Sequence, residues 1–160
     1  MLLKLENTKV PMKLVYLLSE ELQANPEQIT LTQALTLDHS RPNMGLKGTY
    51  GLFGSQEWWN SIEKNKMPLL FISGNITRTY IAGQDPSLID NSFSLLLDDG
   101  SVFEEGIYNY IKEDDKKLFR VGAKVNIIYA RDELKRSGAN GEKIYLDIVL
   151  EMAVSLAPVE

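Results

Sequence analysis

The sequence has no cysteine and a single histidine, His39. Without thiols there can be no disulfide, no cysteine-ligated zinc and no thiol redox chemistry. One imidazole cannot build a multi-histidine metal site. No G-x-S-x-G turn is present to present a serine nucleophile to it, so His39 reads as a polar loop residue. No stretch approaches the roughly 20 apolar residues of a membrane span. The apolar run Leu14 to Leu18 is short and is followed by Ser19, Glu20 and Glu21, unlike a secretion signal, and a cytoplasmic protein is expected. There is no internal repeat, no low-complexity segment, no D-x-D-x-D-G calcium loop and no Gly-Lys-Ser/Thr phosphate loop. No cofactor and no metal is expected.

What is present is enough for a real core: 160 residues, of which 44% are hydrophobic. The net charge is −5, and it is unevenly placed. Residues 1–66 carry seven Lys/Arg and seven Asp/Glu, whereas residues 67–160 carry ten and fifteen. Such a field repels nucleic acid and anionic membrane and attracts basic partners.

The segment Ile144–Leu156 organises the fold. Ile144, Leu146, Ile148, Leu150, Met152, Val154 and Leu156 are apolar at every second position, the period of a strand with one face on a core. Lys143, Asp147, Glu151 and Ser155 recur every four residues, so a buried helix is the competing reading.

Upstream, residues 12–24 carry a helical apolar face of Leu14, Val15, Leu17, Leu18 and Leu22. A second helix is predicted from Asn25, as N-cap, and Pro26 to about Leu37. Its β-branched residues Ile29, Thr30, Thr32 and Thr36 leave a strand as the alternative. A loop with glycine at every third place (Gly45, Gly48, Gly51, Gly54) leads to Ser55, which caps a short helix from Gln56 to about Lys64. Glycines before a helix can cradle phosphate, but a turning loop that packs Leu46, Tyr50, Leu52 and Phe53 inward also explains them. Trp58 and Trp59 point about 100° apart on that helix. Burial of both in the core is one reading; the other has one of them anchoring the helix to a sheet and the second at a rim.

After Met67 the pattern turns to strands. Pro68–Ile81 reads as a long strand bent or bulged at Gly74. Phe93, Leu95 and Leu97 alternate, Asp98-Asp99-Gly100-Ser101 is a hairpin turn, and Val102–Ile107 returns. Tyr108–Leu118 is a loop or one or two helical turns. Phe119–Tyr129 is the next strand, Arg131–Glu142 a charged connection, and Ile144–Leu156 the last strand. The domain reading is a helical segment with a glycine-rich loop over residues 1–66 and a β-rich region over residues 67–160, together one compact domain. This order of bent strand, hairpin, link, strand, strand resembles the OB fold over residues 67–156, with Phe119–Val125 similar to the turn that enters a barrel strand in many small β-barrels. The resemblance implies an α+β protein with N-terminal helices packed on a five-stranded antiparallel OB-like barrel or sheet. An SH3-like barrel and a plain antiparallel sheet fit the same order.

Carboxylates cluster at Asp98-Asp99, Glu104-Glu105, Glu113-Asp114-Asp115 and Asp132-Glu133. Paired acids can serve a hydrolase, with Asp98 and Glu104 the pair in question. Here, however, they are sequence neighbours in turns. OB-type binding of single strands would use Arg78, Tyr80, Phe93, Phe103, Tyr108, Tyr110 and Arg120, but the acidic balance opposes it. What remains is a non-catalytic binding or inhibitory module for a basic protein, with no nucleic-acid or membrane partner. Asp98, Asp99, Glu113, Asp114, Asp115, Asp132 and Glu133 supply the charge, and Tyr108 and Tyr110 the rigid aromatic anchors; a charged, solvated face on a domain whose role lies elsewhere is the competing reading of these acids. In size, acidity and lack of catalytic groups the chain resembles bacterial immunity proteins, which neutralise a cognate toxin. That resemblance rests on no motif and transfers no residues.

Overall fold

The computed structural model describes residues 2–84, 88–108 and 113–158. Among these it contains helices α1 (Leu18–Ala24), α2 (Glu27–Leu37) and α3 (Gln56–Glu63) and strands β1 (Met12–Leu17), β2 (Leu69–Tyr80), β3 (Ser92–Leu97), β4 (Val102–Gly106), β5 (Lys124–Ser137) and β6 (Lys143–Ser155). The strands form an antiparallel sheet in the order β1-β6-β5-β2-β3-β4. The α+β class is as read, but the sheet has six strands rather than five and does not close into a barrel. The added strand is β1, which occupies the side of β6 not used by β5.

Residues 12–24 are therefore not one helix. Met12–Leu17 pairs with β6, Met12 opposite Ser155 and Leu17 opposite Glu151, with a bulge between Leu14 and Tyr16. Val15 and Tyr16 favour a pleated surface, and an available sheet edge outweighs a short helical pattern. The chain turns helical only at Leu18. β5 also departs from expectation. Phe119 precedes the strand, the turn at Val121-Gly122 leads into Lys124, and the strand runs on to Ser137 through residues taken for a charged connection.

The chain groups into two compact units, residues 1–18, 71–128 and 150–160 in one and residues 19–70 and 129–149 in the other. In the first, Val15, Ile76, Phe93, Leu95, Phe119, Val125, Ile127, Met152 and Val154 form the core, and the rings of Phe93 and Phe119 lie 5.4 Å apart. Gly74 permits a close crossing, because a Cβ there would meet the Leu96 carbonyl oxygen at 2.7 Å. The irregular register itself falls two residues later, between Ile76 and Arg78. In the second unit, Trp58, Ile62, Met67, Phe53, Leu46, Leu22 and Tyr129 are buried. Pro26, rather than Asn25, stands before α2, and Asn25 donates instead to Glu21. The end of α2 is held by Lys135, whose ammonium donates to the carbonyls of Leu35 (2.6 Å), Asp38 and Arg41 (both 3.2 Å). A cation there complements the partial negative charge of the helix terminus.

The strand reading of Ile144–Leu156 holds, with β6 ending at Ser155. Its two-faced alternation does not. From Val149 to Ser155 every residue is buried, including Glu151 and Ser155, which the alternation had placed outward. Ser155 Oγ accepts from the Lys124 amide at 2.9 Å and donates to the Ala157 carbonyl at 2.7 Å. The Glu151 carboxylate accepts the Leu2 amide at 3.0 and 2.7 Å and the Leu3 amide at 2.8 Å, which ties the N-terminal segment to β6. Glu151→Ala leaves those amides without an acceptor and is expected to cost about 2 kcal/mol. Urea denaturation should show that loss, with faster hydrogen exchange at Leu2 and Leu3; unchanged stability would mean that the carboxylate does not hold the segment.

Candidate functional site

The acidic clusters fall into two physical classes. Asp98 and Asp99 form the turn between β3 and β4 and are exposed. Gly100, at φ +85°, closes that turn, and its amide donates to the Leu97 carbonyl. Asp99 Oδ1 accepts from the Ser101 hydroxyl and amide, and these bonds hold its carboxyl below the ordinary aspartate range. Asp114 is exposed on a 3-10 helix, Glu113–Leu118. Tyr110 and the side chain of Glu113 lie outside the described residues.

The other acids face inward. Asp115 is buried and forms an ion pair with Lys13 at 2.7 Å. Its second oxygen has no hydrogen-bond partner among the described residues. Asp132 and Glu133 lie not in a turn but within β5, and both are buried. Burial pushes the Asp132 carboxyl above its ordinary value. One of its oxygens accepts the Trp58 indole N–H at 2.9 Å, and the other has no hydrogen-bond partner among the described residues. Glu133 accepts from Lys47 at 3.2 Å and Thr49 at 3.0 Å, with Lys143 at 4.0 Å. Burial acts upward on it as well, but the bonds from Lys47 and Thr49 and the charges of Lys47 and Lys143 outweigh that and leave it below the ordinary glutamate value. Periodicity gave no warning of these partners, because they come from a distant helix and loop. The charges Arg131-Asp132-Glu133, set between the apolar run Ile127–Ala130 and Leu134, were the available signal.

The two tryptophans divide, as in the second of the two readings, rather than both lying in the core. Trp58 is fully buried and Trp59 half-buried, with their rings 4.9 Å apart edge to face. Ser55 accepts the Trp58 amide as the cap of α3. The glycine run is a packing device. Gly51 has φ +99°, and a Cβ on it would lie 3.0 Å from the Trp58 amide nitrogen. Tyr108 is half-buried, its ring 5.0 Å from that of Tyr16, and burial raises its phenol.

The arginines of the nucleic-acid alternative are engaged within the chain. The Arg78 guanidinium sits 4.3 Å over the Tyr80 ring and reaches Glu104 at 3.6 Å, and Arg120 donates to the Leu156 carbonyl. Ser94 bridges the first pair, donating to Glu104 at 3.0 Å and accepting from Arg78 at 3.3 Å. His39 is exposed. A polar cleft of about 380 Å³ is lined by Thr49, Tyr50, Glu57, Asn60, Ser61, Lys64 and Lys66. Among the described residues no three His, Asp or Glu side chains gather as a metal site.

Asp132 and Glu133 give opposite pH signatures. A carboxyl raised on folding binds its proton more tightly in the native state, so its contribution to stability falls as pH rises above the unfolded value, about 3.9. A lowered one, Glu133, contributes above the unfolded value and loses that contribution as pH falls. Asp132→Asn keeps an acceptor for Trp58 and removes the titration. The stability difference between this variant and the natural protein should therefore shift in the variant's favour between pH 4 and pH 7. Urea denaturation followed by tryptophan fluorescence measures it; a difference independent of pH would contradict the raised carboxyl.

A family model described as immunity protein RhsI2 matches residues 12–155, from the first residue of β1 to the last of β6. No curated protein matches the chain. The match takes in every one of the strands β1–β6 and helices α1–α3, and the chain belongs to the RhsI2 immunity protein family.

Proposed function

We propose that this immunity protein neutralises its toxin by direct, non-catalytic binding in the cytoplasm, and that the toxin presents a basic surface to it. The immunity role follows from the family and from the span of the match, residues 12–155. The basic character of the partner is supported by the exposed acids Asp98, Asp99 and Asp114 and by a net charge of −5. Opposite charge steers a diffusional encounter and raises the association rate. Asp115, Asp132 and Glu133 contribute to the long-range field, while their side chains are held by Lys13, Trp58, Lys47 and Thr49. Tyr108 adds a rigid aromatic beside Tyr16, and Tyr110 and Glu113 belong to this reading by sequence alone.

Co-expression with the toxin should restore growth, and the two purified proteins should associate at one-to-one stoichiometry. Asp98→Lys, Asp99→Lys and Asp114→Lys together should slow association about tenfold at low ionic strength and much less in high salt. An association rate indifferent to these reversals would remove the electrostatic mechanism while leaving the immunity role in place.

A further inference from the structure

On β2, β3 and β4 one side of the sheet carries Ile76, Leu95 and Phe93, all buried. Register fixes what lies on the other side. Leu96 stands opposite Val102 on β4 and Asn75 on β2; Ser94 stands opposite Glu104 and Arg78; Ser92 stands opposite Gly106 and Tyr80. Alternation along β2 adds Phe71, two pleats before Asn75. This side has two contrasting ends. At one end, Arg78, Tyr80 and Glu104 form a closed polar network over Ser94, which they leave buried. At the other end, beside the Asp98-Asp99 turn, Phe71, Leu96 and Val102 are 56%, 47% and 64% exposed.

Large apolar side chains together on a solvent-facing sheet, rimmed by charge, mark an interaction surface rather than a solvated one. The rim identifies the chemistry of the partner. The hairpin Ser92–Gly106 holds Asp98, Asp99, Glu104 and Glu105 and no Lys or Arg. Of these, Glu104 is joined to Arg78, and the two aspartates at the tip face solvent. We infer that the tip of this hairpin, with Leu96, Val102 and Phe71 as apolar centre and Asp98-Asp99 as rim, is where the toxin docks, through an apolar patch ringed by Lys or Arg. This rests on the immunity reading and adds a division of labour to it. The aspartates govern the encounter, and the apolar centre governs residence, because desolvated central contacts carry most of the energy of an interface.

The test uses the toxin whose effect the chain suppresses in co-expression, purified and titrated against variants of the full chain. Leu96→Thr with Val102→Thr keeps β-forming side chains at exposed positions and should leave the thermal unfolding transition in place. It should raise Kd roughly tenfold or more, mainly through faster dissociation. Phe71→Ser is the second variant, with the same expectation. Leu31→Ser, on α2 and 69% exposed, is the matched control and should bind as the natural protein does. In the complex, the amides of Leu96 and Val102 should gain hydrogen-exchange protection. Natural Kd values in folded Leu96/Val102 and Phe71 variants would overturn the docking site and leave the immunity reading standing. A toxin that neither binds nor is suppressed by the natural chain would overturn both.

Discussion

A carboxylate removed from water must find donors or keep its proton, and β5 is built around two neighbours that meet this constraint differently. Asp132 and Glu133 point to opposite sides of one strand. On one side Asp132 receives the indole N–H of Trp58 and fixes α3. On the other, Glu133 draws in Lys47 and Thr49, while the bridge between Leu46 and Leu134 sets the glycine loop against the same strand. Two positions further on, Lys135 holds the end of α2. Four successive residues of β5 thus organise a helix cap, a helix anchor and a loop that contains no regular structure of its own. Remove the acids, and the loop glycines and the tryptophan have little to register against.

The β-rich character of the second half was legible because it depends on local signals. The hairpin turn at Asp98–Ser101, the alternation of Phe93, Leu95 and Leu97, and the Ser55 cap all act within a few residues. What was not legible depends on partners far along the chain. Met12–Leu17 reads as helix until an edge of β6 is available to it. Arg131–Ser137 reads as a connection until its charges are seen to have partners among residues 41–49, 58, 143 and 147. Closure into a barrel was inferred from the order of elements, and order alone does not say which strand takes the last free edge.

The same distinction governs the candidate site. Counting acids gave the sign of the field, since a field depends on charge and not on contacts. It did not separate carboxylates that face solvent from those that serve the interior, because Asp99 and Asp132 look alike in a sequence. The apolar members of the docking surface were hidden for a related reason. Leu96 and Val102 sit in strands whose alternate residues form the core, and a hydrophobic residue in a strand reads as core by default.

β4 lies at the end of the strand order, and an unpaired strand edge is a template on which another chain can add itself. Two features of this edge oppose that. Glu104 and Glu105 give two copies meeting edge to edge facing rows of like charge, and the outward amide of Gly106 is already taken by the Glu105 carboxylate at 2.7 Å. The acidic hairpin therefore bears on self-association as well as on the docking proposed for it. Like charge at that edge opposes pairing between copies, an advantage for a chain that exposes Leu96 and Val102 on the same hairpin.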